Sequence, residues 1–203
     1  MHAKRLAAAV VALSLPAFAA MAQSSGPARG VPDTSSATGG RVVTQGGETV
    51  RAVSTARDFI EQAASSDMFE IETGRMAADK GNHEAVRSFG QHMVADHTQT
   101  SQQLLTLAGK HGVAPAGTME QRHLTMADTL RNLSGSAFDQ QYIQGQVVAH
   151  REAVTLFEQA AQATAPDMAD IRSFAAQTLP TLRQHLQMAE GLAGSGVPTA
   201  RQQ

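Results

Sequence analysis

The chain has 203 residues, of which 42% are hydrophobic, 17% charged and 4% aromatic, with no Cys and no Trp. That is enough for one domain with its own core. The absence of cysteine excludes a disulfide framework, a thiolate nucleophile and a thiolate-ligated cluster, so any metal would rest on His, carboxylate or Met. The basic residues are spread singly and the formal net charge is −2, which excludes a nucleic-acid surface. The basic amphipathic pattern of a membrane-surface helix is also missing.

Residues 1–22 read as an export signal: Lys4 and Arg5, the apolar run Leu6 to Leu15, then Pro16 and an Ala-x-Ala ending at Ala22. The expected location of the mature chain is therefore the periplasm or the cell envelope. Cleavage takes away two basic residues and no acid, leaving 14 basic against 18 acidic side chains. No later stretch reaches 18 uninterrupted apolar residues, so no transmembrane segment is expected after cleavage. Residues 23–53, rich in Gly, Ser, Pro and Thr, predict a flexible leader. Arg41 to Thr44 has strand character, but nothing nearby suggests a second strand.

From Ser54 to Gly194 the apolar periodicity is helical. The first helix is expected from Thr55, with Asp58 completing a capping box, to Lys80, before Gly81. The second starts behind Asn82 and ends near His111, before Gly112 and Pro115. A third helical stretch begins near Thr118, breaks at Ser134 and Gly135, and restarts with a Ser136/Asp139 box, continuing to about Ala163. The fourth opens at Pro166 and runs to about Leu192, with Pro180 predicting a kink. Residues 195–203 form a polar tail expected to be disordered. Helices of this length joined by mostly short loops predict an all-α fold, an antiparallel four-helix bundle of up-down connectivity.

Polar residues interrupt the apolar stripes at corresponding places. At 100° per residue, His97, His150 and His185 face inward from the second, third and fourth helices. Asp67 lies mid-stripe on the first, with Glu70 at its border. Counted from the turns at Gly81 and Ala165, taken as one end of an up-down bundle, the other four fall within about 7.5 Å of the His97 level. A buried imidazole without a partner costs about 1–3 kcal/mol, so such a layer needs either a polar network or a cation. Imidazole with carboxylate suits Fe, Mn, Zn or Cu. The candidate ligands are Glu70, His97, His150 and His185, with Asp67 and Asp96 in a supporting rank.

Other candidates are weaker. Glu120 and His123 match a Glu-x-x-His element but occur once, where a capping role is expected. His92 and Asp96 form an i, i+4 pair on an exposed edge, where Asp96 could orient a ligand. His83 and His111 sit at helix ends, and no Gly-x-Ser-x-Gly elbow occurs.

The strings Met68-Phe-Glu-Ile-Glu72, Phe89-Gly-Gln-His-Met-Val-Ala-Asp-His97, Leu133-Ser-Gly-Ser-Ala-Phe-Asp139 with Tyr142 and His150, and Leu179-Pro-Thr-Leu-Arg-Gln-His185 together resemble the domain-of-unknown-function family 4142. Members of that family are often called predicted or putative outer membrane proteins. The resemblance implies a ferritin-like four-helix bundle exported across the inner membrane. It supports Glu70, Asp96, His97, Asp139, Tyr142, His150 and His185, whereas Asp67 falls outside the pattern. It supplies no mechanism, and the paired Glu-x-x-His of di-iron bundles is missing. The expected function is an exported, metal-binding bundle with a stress or metal-related role. The alternative is a non-catalytic envelope interaction or stress module with a metal-free polar core.

Overall fold

The structure, a computed structural model, describes residues 42–45 and 48–195. The expected export signal, most of the leader and the end of the tail lie outside these residues. The described part of the chain is helical, with one antiparallel hairpin ahead of the helices. Five helices follow in order: α1 (Ala56–Lys80), α2 (Glu84–Lys110), α3 (Gln121–Arg131), α4 (Gly135–Ala161) and α5 (Ala169–Gly194). None is long and apolar enough to cross a membrane.

Local signals explain most boundaries. The Thr55 side chain accepts the Asp58 N–H while the Asp58 carboxylate accepts the Thr55 N–H, so the predicted capping box fixes the start of α1. Gly112, at φ 61°, lets the chain leave α2 with Val113 N–H bonded back to the Ala108 carbonyl. A 3-10 turn at Pro166–Met168 leads into α5, which is continuous through Pro180.

Three expectations are corrected. Part of the expected leader pairs with itself: β1 (Val42–Gln45) and β2 (Glu48–Arg51) form a hairpin with Val43 opposite Val50. Val50 is buried in the core, and the Arg51 N–H is held by the Gln62 amide oxygen on α1. The second strand is polar at three of its four positions, which hides it from an apolar-period search. The Ser136/Asp139 box does not form, because α4 begins two residues earlier, behind Ser134. Asp139 reaches across to the α1–α2 turn instead, accepting the N–H groups of Asn82 and His83 at 2.8 and 2.9 Å and the His83 Nδ1–H at 2.7 Å. It thus satisfies donors that α2 cannot satisfy within itself.

That contact also overturns the up-down connectivity. Asp139 places the start of α4 beside the start of α2, and the 2.9 Å bond between His111 and Asp170 places the end of α2 beside the start of α5. Helices α2 and α4 therefore run the same way. The segment containing α3 carries the chain back between them, and Lys80 Nζ ties its end to α1 by donating to the carbonyls of Leu130 and Leu133. Apolar side chains pack at both ends. One cluster centres on Phe59, Leu104, Phe157 and Ile171, the other on Val86, Phe138, Tyr142 and Ala189. The polar layer lies between them.

Candidate metal centre

Close backbone approach brings α1 and α2 together. A Cβ at Gly90 would stand 2.6 Å from the Gly74 carbonyl oxygen and 2.7 Å from Ala77 Cβ, so only glycine fits this crossing. Two turns along α2, His97 meets Asp67 of α1, and its Nδ1–H donates to Asp67 Oδ1 at 2.8 Å. His150 on α4 donates Nδ1–H to the Gln146 carbonyl at 3.0 Å. His185 on α5 donates Nε2–H to Asp96 Oδ2 of α2 at 3.0 Å. All three imidazoles are buried.

The rings converge. Their centroids are 5.7 Å apart for His97 and His150, and 5.4 Å for each of the other two pairs. One nitrogen of each lies within 4.8 Å of one nitrogen of each of the others. His97 Nε2, His150 Nε2 and His185 Nδ1, the three nitrogens not engaged as described above, are buried with no hydrogen-bond partner. Asp67 Oδ2, Glu70 Oε2, Gln146 Oε1 and Tyr142 Oη are in the same condition. Buried polar atoms are normally paired, so this concentration marks a layer that satisfies neither an apolar core nor a closed polar network.

Electrostatics follow burial. Desolvation pushes the Glu70 carboxyl up to about 7, against the charge of His97. Burial, and then the charge of His97, pulls His185 down to about 4. Burial likewise holds His150 well below the ordinary imidazole value. For His97 burial acts in the same downward direction, but the hydrogen bond and charge of Asp67 outweigh it and hold the imidazole above its ordinary value.

Residues 43–192 match the model of a domain of unknown function, DUF4142. The chain belongs to this family. No curated protein matches it. The DUF4142 domain is similar in fold to a crystal structure of a DUF305 fragment from Deinococcus radiodurans, with a TM-score of 0.61 and 16% identity over 71% of this chain and 98% of that one. At that identity the likeness speaks for the fold alone.

Of the residues singled out in the DUF4142 sequence, the structure brings His97, His150 and His185 together, with Asp67 and Asp96 behind two of them. Glu70 is buried beside them, with Oε1 3.7 Å from the His150 Nδ1 that already serves Gln146. Its carboxylate is not among the converging donors. Asp139 acts at the end of α2. The Glu120 side chain does not cap α3. It pairs with Arg51, while His123 is buried, stacked on Phe69 and bonded through Nδ1 to the Ser65 hydroxyl at 2.7 Å. His92, read as an edge residue, lies with its ring 5.3 Å from His185. Helical spacing alone could not find this, since it depends on how α5 crosses α2.

Proposed function

We propose that this protein binds one transition-metal ion through His97, His150 and His185. The observation that carries the reading is the division of labour within each ring. One nitrogen donates to an acceptor, a carboxylate for His97 and His185 and a carbonyl for His150, and the other is buried and unpaired in a ring that meets the other two. Metal-bound histidines are held in this way, with the outer acceptor fixing tautomer and ring orientation. Metal–nitrogen bonds of about 2.1 Å would place ligand nitrogens about 3.4–3.6 Å apart, a contraction of roughly 1 Å from the observed limit. An all-imidazole set favours Cu, Zn or Fe over Mg or Ca. Glu70 is a neighbour that could turn toward a bound ion.

The wider setting belongs to the same proposal. Four long helices with one long connection between the second and third is the arrangement of ferritin-like bundles, and the order of α1, α2, α4 and α5 supports it. The N-terminal signal pattern supports export to the periplasm, where the domain would serve metal handling or stress defence.

Protein purified without a His tag and stripped of metal is titrated with Zn(II), Cu(II), Fe(II) and Mn(II). The expected result is one tightly bound equivalent in the wild type and loss of that tight binding in His97→Ala and His150→Ala. The absence of stoichiometric uptake of any of the four overturns the reading and favours the metal-free envelope module. In that case added metal leaves the melting temperature unchanged.

A further inference from the structure

A second set of donors lies one step outward. His92, Asp96 and His185 each place one ligand atom within 4.8 Å of the others. His92 and Asp96 are one turn apart on α2, and Asp96 Oδ2 stands 3.4 Å from His92 Nε2 and 3.0 Å from His185 Nε2. Unlike the inner layer, this group meets solvent, with the His92 and Asp96 side chains 42% and 34% exposed. His92 and Met188 line one surface groove of about 560 Å³, while Asp96 lines another of about 300 Å³.

A hydrogen bond tethering α2 to α5 would explain Asp96 and His185 but leaves His92 without a purpose, because both imidazoles address the same carboxylate oxygen. Two imidazoles and a carboxylate from two helices form a donor set suited to a borderline transition metal. The inner and outer groups also share one residue. His185 turns Nε2 to Asp96 and leaves Nδ1 buried and unpaired.

We propose that His92, Asp96 and His185 Nε2 form an entry site that takes a transition-metal ion from solvent and passes it to the inner imidazoles. This rests on the inner-site reading given above. A neutral imidazole has one lone pair, so His185 serves one site at a time. Occupying the outer site requires the ring proton on Nδ1; occupying the inner one requires it back on Nε2, where Asp96 accepts it. The two sites therefore fill alternately, and the wild type holds one ion.

The test uses Co(II) as an optical probe, with stopped-flow loading and equilibrium titration of the full chain. Circular dichroism serves as the folding control. Expected is loading at least about tenfold slower in His92→Gln than in wild type, to the same one-equivalent end point. His97→Ala, deprived of the inner site, is expected to keep one weaker equivalent, which His92→Gln added to it abolishes. An unchanged loading rate in His92→Gln, or residual binding in His97→Ala that ignores the second substitution, overturns the entry site while leaving the inner one standing. Wild-type binding indifferent to His97→Ala but lost in His92→Gln overturns the inner site instead. No Co(II) uptake by any form overturns both.

Discussion

Two ring triads occupy the same molecule at similar spacing. Near one end Phe59, Phe157 and Phe174 pack with centroids 5.0, 5.9 and 6.1 Å apart, edge-on or tilted. In the middle His97, His150 and His185 stand 5.4 to 5.7 Å apart. Helices α4 and α5 contribute a ring to each. The phenylalanines have nothing left to satisfy, and their contacts stabilise the fold directly. The imidazoles occupy equivalent space yet leave three nitrogens without partners. Packing accounts for the first triad but leaves buried polar atoms of the second unpaired.

The comparison can be broken from either side. Phe157→Ala should cost about 3–5 kcal/mol in chemical denaturation, because it leaves a cavity among rings that close on one another. Protein that remains folded should still take up one metal equivalent. A metal-linked shift would show the contrast from the other side. At a free ion concentration about 100 times Kd, wild type should gain about 3 kcal/mol of stability, read as a raised melting temperature, and His150→Ala, left with the weaker outer group, should gain markedly less. Asp67→Asn keeps the size of the group behind His97 but removes its charge, and should weaken metal affinity about 10–100-fold without changing the stoichiometry.

The smallest effect lies outside both triads. Burial, and then the Arg122 charge, pulls His123 down to about 4. The unfolded chain takes up this proton near pH 6.5 while the folded one resists it, so the His123 contribution is present above about pH 6.5 and is lost as pH falls toward about 4. His123→Gln, which can still accept from Ser65, should remove about 1 kcal/mol of the stability lost between about pH 7.5 and pH 5.5. Equal acid sensitivity in variant and wild type would place the titration elsewhere.

The sequence foretold the helices well because their limits are written locally, in the Thr55/Asp58 box and in the glycines after α1 and α2. The inward histidines were legible for the same reason, since a 100° period needs no knowledge of neighbours. Their common height was also correct although the connectivity behind it was not. His150 sits near the middle of α4 (Gly135–Ala161), so reversing that helix changes its height by only a few residues. What escaped were contacts between elements. The i+3 spacing of Ser136 and Asp139 is a local pattern, but the carboxylate is used by a turn more than 50 residues away in sequence. His92 and His123 likewise gained neighbours that no period within their own helices encodes.

Helix α2 is gripped at both ends by acids from other helices, Asp139 of α4 at its start and Asp170 of α5 at its finish. A rod clamped in this manner cannot creep along its axis without losing one grip or the other. A slip of a single turn would displace His97 by about 5.4 Å, farther than the 4.8 Å within which the imidazole nitrogens now gather. Two carboxylates remote from the histidine layer thus set the alignment on which that layer depends, and damage to either should surface first as lost metal uptake in a chain that still folds.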